Sequence, residues 1–148
     1  RTTVGTPALN IATGVRTKFV NDGGDLTLEY LPSDATGALW NTTTNEHNPI
    51  AVNDVYDLRI SFSAQNYAGT DPYLTCELDI GGVPGIIFDQ LIPLVKGGAV
   101  QAASFAFPVY TSSTYISNGG EIYLTYTGTG SCDIFSTSIL IHRQSRIL

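Results

Sequence analysis

From Val55 to Ser63 the chain alternates between apolar and polar residues without a break. Tyr56, Leu58, Ile60 and Phe62 fall on one side, and Asp57, Arg59, Ser61 and Ser63 on the other. A strand sends successive side chains to opposite faces, whereas a helix would scatter these four apolar residues around its circumference. The segment is therefore a strand with one buried face, and it needs a partner sheet to cover that face.

Other segments repeat the period. Leu74, Cys76, Leu78 and Ile80 alternate with Thr75, Glu77 and Asp79, and Gly81-Gly82 ends the run. Leu26, Leu28 and Tyr30 alternate with Thr27 and Glu29, between Asn21-Asp22-Gly23-Gly24 and Pro32-Ser33-Asp34. Phe105, Phe107 and Val109 mark another strand. After Asn118-Gly119-Gly120, residues Ile122, Leu124 and Tyr126 alternate with Glu121, Tyr123 and Thr125. Gly, Asn and Pro clusters at these boundaries are turn chemistry.

Two stretches are apolar on both faces. Gly85 to Val95 is one, stopped by Lys96-Gly97-Gly98; it reads as central or covered on both sides, although Pro93 argues against a central ladder position. The last strand, roughly Ser131 to His142, is the other. Strict alternation puts Cys132, Ile134, Ser136, Ser138 and Leu140 on one face. Asp133, Phe135, Thr137, Ile139 and Ile141 then share a second face that needs cover of its own. Thr36 to Pro49 reads as a loop or short edge strand. No helix, internal repeat or low-complexity tract is expected. About seven or eight short strands with frequent turns give an all-β sandwich or barrel. The chain of 148 residues forms one domain, with residues 1–24 set apart as a candidate extended arm or linker.

Charge narrows the function. Only 14% of residues are charged, against roughly 25% in typical domains, and the net charge is −6. The seven Lys and Arg residues are scattered, so a nucleic-acid partner is not expected. Low charge suits a surface that meets other subunits. No run approaches the roughly 18 apolar residues of a membrane span, so no membrane insertion is expected. The chain opens on Arg1 without a leader and contains no Met, which reads as a fragment or processed product. Cys76 and Cys132 have no metal spacing; a single bridge between them and two buried thiols are both open.

Four pieces carry a family resemblance: Asn53 to Phe62, Leu78 to Gly82, Gly119 to Leu124, and Ser136 to His142. Their order resembles the trimeric jelly rolls of the tumour necrosis factor and complement globular-head class. It resembles more closely the small jelly-roll proteins of tailed-phage virions, found as fibre knobs or capsid decorations. The resemblance covers roughly residues 52 to 143. It implies a single jelly-roll β-sandwich of about eight antiparallel strands, assembled as a homotrimer on the virion surface. Its partners would be itself, other virion proteins and, as a further candidate, a host-surface glycan. In a trimer the residues Tyr123, Phe135, Ile139 and Ile141 are the candidate interface, since aromatic residues are enriched at such contacts.

No catalytic constellation is visible. His47 reads as solvated surface and His142 as a strand-end or interface polar group. Glu77 and Asp79 share a strand face with Asp57 expected on a neighbouring strand, the one pairing that could suit a glycoside hydrolase. The commoner meaning is a solvated face. No metal or cofactor site is expected; Asp22 and Asp25 lack calcium-loop spacing. Asn41-Thr42-Thr43 is a glycosylation acceptor on paper. The candidate ligand loop is Trp40, Asn41, Asn45 and His47, where an indole could stack on a sugar ring in a lectin-like module. The competing expectation packs Trp40 into the sandwich.

Overall fold

The computed structural model describes residues 6–21, 31–67, 70–83 and 85–146. The strand expected at Leu26–Tyr30 and the acidic pair Asp22 and Asp25 lie outside them. Among the described residues ten strands run in chain order: β1 (Leu9–Ala12), β2 (Arg16–Lys18), β3 (Trp40–Asn41), β4 (Glu46–His47), β5 (Asp54–Asn66), β6 (Tyr73–Asp79), β7 (Ile86–Pro93), β8 (Val100–Tyr110), β9 (Gly120–Thr127) and β10 (Ser131–Arg146). One short helix, α1 (Ser113–Asn118), precedes β9. All strand pairings between these elements are antiparallel.

Two sheets result. The first has the order β1-β10-β5-β8; the second has β3-β4-β9-β6-β7, with β2 also pairing β9. The chain is an all-β sandwich. β5 is its spine and obeys the sequence alternation over its whole length, from Asp54 to Asn66. Its inward side chains Tyr56, Leu58, Ile60 and Phe62, with Phe105 and Phe107 of β8, are buried against Leu74, Cys76 and Leu78 of β6 and Ile122, Leu124 and Tyr126 of β9. Cys76 and Cys132 are both free thiols, one in each sheet, and both are buried as small core residues.

The expectation for β10 is corrected. Phe135 pairs Ser63 but Ser138 pairs Ser61, so β10 carries one extra residue at a bulge. Ser136 takes φ +50° there, a left-handed conformation rare outside glycine. A one-residue slip turns every later side chain to the other face. Ile139 and Ile141 therefore pair Ile60 and Leu58, and both pack on the sandwich core. Ser138 and Leu140 face outward beside Ser61 and Arg59. Phe135, before the bulge, keeps the outer register beside Ser63 yet is buried within the chain.

Helix α1 is also not foreseen from the sequence. It is capped by the Ser112 hydroxyl, which accepts the Tyr115 N–H, and closed by Gly119 at φ +74°. It is too short for a 3.6-residue period to register in a sequence. Its one buried residue, Tyr115, lies against Gly120, where a Cβ would sit 2.5 Å from the Tyr115 ring. Gly120 is thus needed for close approach. The continuous apolar run Gly85–Val95 becomes β7, and among the described residues β7 is an edge strand, paired only with β6. The position of Pro93 at its end agrees with that placement.

Candidate functional site

The Trp40–His47 segment is a small hairpin in which Trp40 pairs His47 and Asn41 pairs Glu46. Trp40 is only 4% exposed, so its indole packs into the sandwich and is not offered to a sugar. The Asn41 carboxamide oxygen accepts the N–H groups of Thr43 and Thr44, and that of Asn45 accepts the Asn21 N–H. These oxygens build the loop. The four residues of the candidate ligand loop lie together in this hairpin, but half of them point inward.

His47 is fully buried, against the sequence expectation of a solvated loop residue. Its Nδ1 lies 2.7 Å from the Tyr115 hydroxyl, and the rings of Tyr56 and Tyr115 meet it edge-on at 4.8 and 5.4 Å. Burial pushes its pKa down to about 3, so the ring is neutral. Beside it, the Tyr56 hydroxyl donates to Asp54 Oδ2 and accepts the Ile50 N–H. Burial first, and then the Asp54 carboxylate, raise Tyr56 to about 12. Arg143 grips Asp34 with two parallel hydrogen bonds of 2.8 and 2.9 Å and reaches buried Asp54 at 3.3 Å. This buried polar end, built from β4, β5, α1 and β10, is missing from the sequence reading. Its one sequence signal is Asp54, which continues the inward positions of β5 as a carboxylate.

The outer face of the second sheet is a closed ionic network. Arg16 on β2 holds Glu77 at 2.6 Å and Asp79 at 2.8 Å, and its guanidinium lies 3.7 Å over the Tyr123 ring. The Tyr123 hydroxyl donates to Glu121 at 2.6 Å, and Lys18 pairs the same carboxylate. That hydrogen bond, followed by burial, raises Tyr123 to about 12. The Gly81 N–H, with help from Arg16, holds Asp79 below the usual carboxylate range. Tyr123 is thus tied up within the chain. Asp57 is not a neighbour of Glu77 and Asp79 as expected: it stands on β5 in the other sheet, paired with Arg59. The three carboxylates do not converge. Among the described residues no group of three His, Cys, Asp or Glu side chains is placed to hold a metal, and no helix is long and apolar enough to cross a membrane.

The outer face of the first sheet is of another kind. Cross-strand rows run Ser138–Ser61–Ser104 and Leu140–Arg59–Ala106 over β10, β5 and β8. They floor a shallow groove of about 550 Å³, with Gln90 of β7 at its rim. Arg59 is its one charged lining residue. Small side chains make the floor flat, and hydroxyls and methyls dominate it. Of the four interface candidates, Ile139 and Ile141 lie beneath this sheet, Phe135 lies in its outer register, and Tyr123 belongs to the opposite face. His142 is exposed at the outer end of β10. Compared with protein-family models and with curated proteins, the chain matches none.

Proposed function

We propose that this chain is a structural protein of a tailed-phage virion: a homotrimeric jelly roll on the particle surface, serving as a capsid decoration or a fibre knob. The observation that carries the reading is the strand order. From β5 onward the chain passes from the first sheet to the second, makes the β6–β7 hairpin, and then changes sheet at every step through β8, β9 and β10. That winding is what a jelly roll requires. The groups with chemical potential are spent on structure: His47 on Tyr115, and Glu77 and Asp79 on Arg16. On this reading the work of the molecule is assembly and display.

Light scattering on a sizing column tests the trimer. A stable mass three times the 15.8 kDa chain supports it, and a monomer at micromolar concentration removes it. Mass spectrometry of density-purified phage particles from the source of the sequence tests the location. Peptides of this chain in the particle fraction support it. Their restriction to the soluble fraction overturns it.

A further inference from the structure

The two long sides of the sandwich end differently. One side closes with short strands: β1 has four residues, β2 three and β3 two. The other ends in β7 and β8, of eight and eleven residues, each paired on one edge only among the described residues. These two edges lie together, and the Phe88 and Phe107 rings meet between them at 4.4 Å. Long open edges are normally protected by Lys, by a bulge turned outward or by cover. Here the one charged side chain on the two strands is Asp89, and no residue of β7 is fully buried. Leu91 is 52% exposed, and Ile86, Val95 and Val100 are also exposed along the two strands and the turn between them.

We infer that this edge is an interaction surface for a second copy of the chain, and that the β7 edge of one copy seats in the groove on the outer face of the next copy's first sheet. Three observations select that occupant. The groove offers Leu140, Ala106 and small serines to the exposed Leu91 and Ile86 of the edge, on a chain whose net charge of −6 would otherwise drive copies apart. The edge carries a single anion, Asp89, and the groove a single cation, Arg59. Asp57 engages only Nε and Nη2 of Arg59, so donors remain at the outer end of the fork. Finally, Pro93 and Pro108 remove two N–H donors from these strands, which weakens ladder extension relative to side-chain packing. Apart from Gln90, which rims the groove of its own copy, edge and groove are built from different residues, which makes the contact heterologous. Repeated about a rotation axis, it closes a ring.

This inference rests on the self-assembly proposed above, and its test separates the two. Leu91→Arg charges the edge and Leu140→Arg charges the groove; both side chains are more than half exposed, so the fold keeps its core. Val83→Arg, at a residue 95% exposed in the β6–β7 turn, is the control. The expected result, by light scattering and sedimentation velocity, is an assembled wild type and Val83→Arg. Leu91→Arg and Leu140→Arg each fall to monomers, with dissociation constants at least about tenfold higher. Circular dichroism stays unchanged. Mixing Leu91→Arg with Leu140→Arg then restores a 1:1 pair, because one intact groove meets one intact edge. Both variants keeping the wild-type mass, or a mixture that does not pair, overturns the inference while leaving the trimer. A ring of another size with the same mutant behaviour overturns the trimer and keeps the inference. A monomeric wild type overturns both.

Discussion

The two outer faces of this sandwich differ in how they meet water. On the second sheet Arg16 and Lys18 satisfy Glu77, Asp79 and Glu121, and Tyr123 lies under the guanidinium. On the first sheet rows of Ser, Ala and Leu lie open around Arg59. One face is completed by its own chain, through β2 laid along β9. The other is left open, and the proposed contact between copies falls there. The difference teaches that exposure alone does not mark an assembly surface. On the open face the ion pair is Arg59 with Asp57, next to a long edge with almost no charge.

The first way to sharpen this contrast is to compare the two sides of one sheet. Leu58 is fully buried and Leu140 is 59% exposed, on adjacent strands. Leu58→Ala is expected to cost about 4 kcal/mol in urea unfolding, through lost burial and a cavity. Leu140→Ala is expected to stay within about 0.5 kcal/mol in the dissociated chain and to weaken only assembly.

A second comparison sets buried charge against surface charge. Arg143→Ala leaves the Asp54 carboxylate buried without its cation, and about 3 kcal/mol of stability should go. This is the low end for a buried pair, because the Arg143 side chain keeps 17% exposure. Equal stability of wild type and Arg143→Ala would contradict this account of the buried end.

The buried end should also respond to acid. The folded pKa of His47 is about 3, below its unfolded value near 6.5. The unfolded chain binds the proton first, so stability is full above that unfolded value and falls as pH drops. The slope approaches about 1.4 kcal/mol per pH unit and persists down to the folded pKa. Between pH 6 and 4 this contributes a loss of roughly 2 to 3 kcal/mol. His47→Gln does not titrate, so its stability measured against pH should lack that component. A parallel fall in both chains would remove His47 as the cause.

The smallest effect belongs to the completed face. Arg16 is more than a third exposed, so its pairs are screened by water. Arg16→Ala should cost less than about 1 kcal/mol, and less again in half-molar salt. A loss as large as that of Arg143→Ala would erase the distinction between the two charge clusters.

Much of the fold was legible because period-2 patterning is a local property. β5, β6 and β9 each bury the side chains that their alternation assigns. The failures have local causes of their own. Ser136 adopts a left-handed conformation that no glycine announces, and the bulge it makes moves Ile139 and Ile141 to the inner face. Helix α1 is six residues long and shows no period. The Trp40 hairpin is polar in composition, yet it folds its Trp and His inward. The candidate surfaces were less legible. Asp57 and Glu77 were expected together, and sheet membership, which depends on topology, separates them.

By itself the sequence determined that this chain is all-β, which residues of β5, β6 and β9 form the core, and that its surface would be poor in charge. Those follow from alternation and composition, which act residue by residue. Only the tertiary structure decided that the apolar run Ile86–Pro93 stands at an edge, that β2 completes one face while the other stays open, and that His47, Tyr56, Asp54 and Arg143 meet at one end. Each of these depends on which strands become neighbours. That choice is made by pairing and packing between residues far apart in the chain, where a local pattern carries no signal.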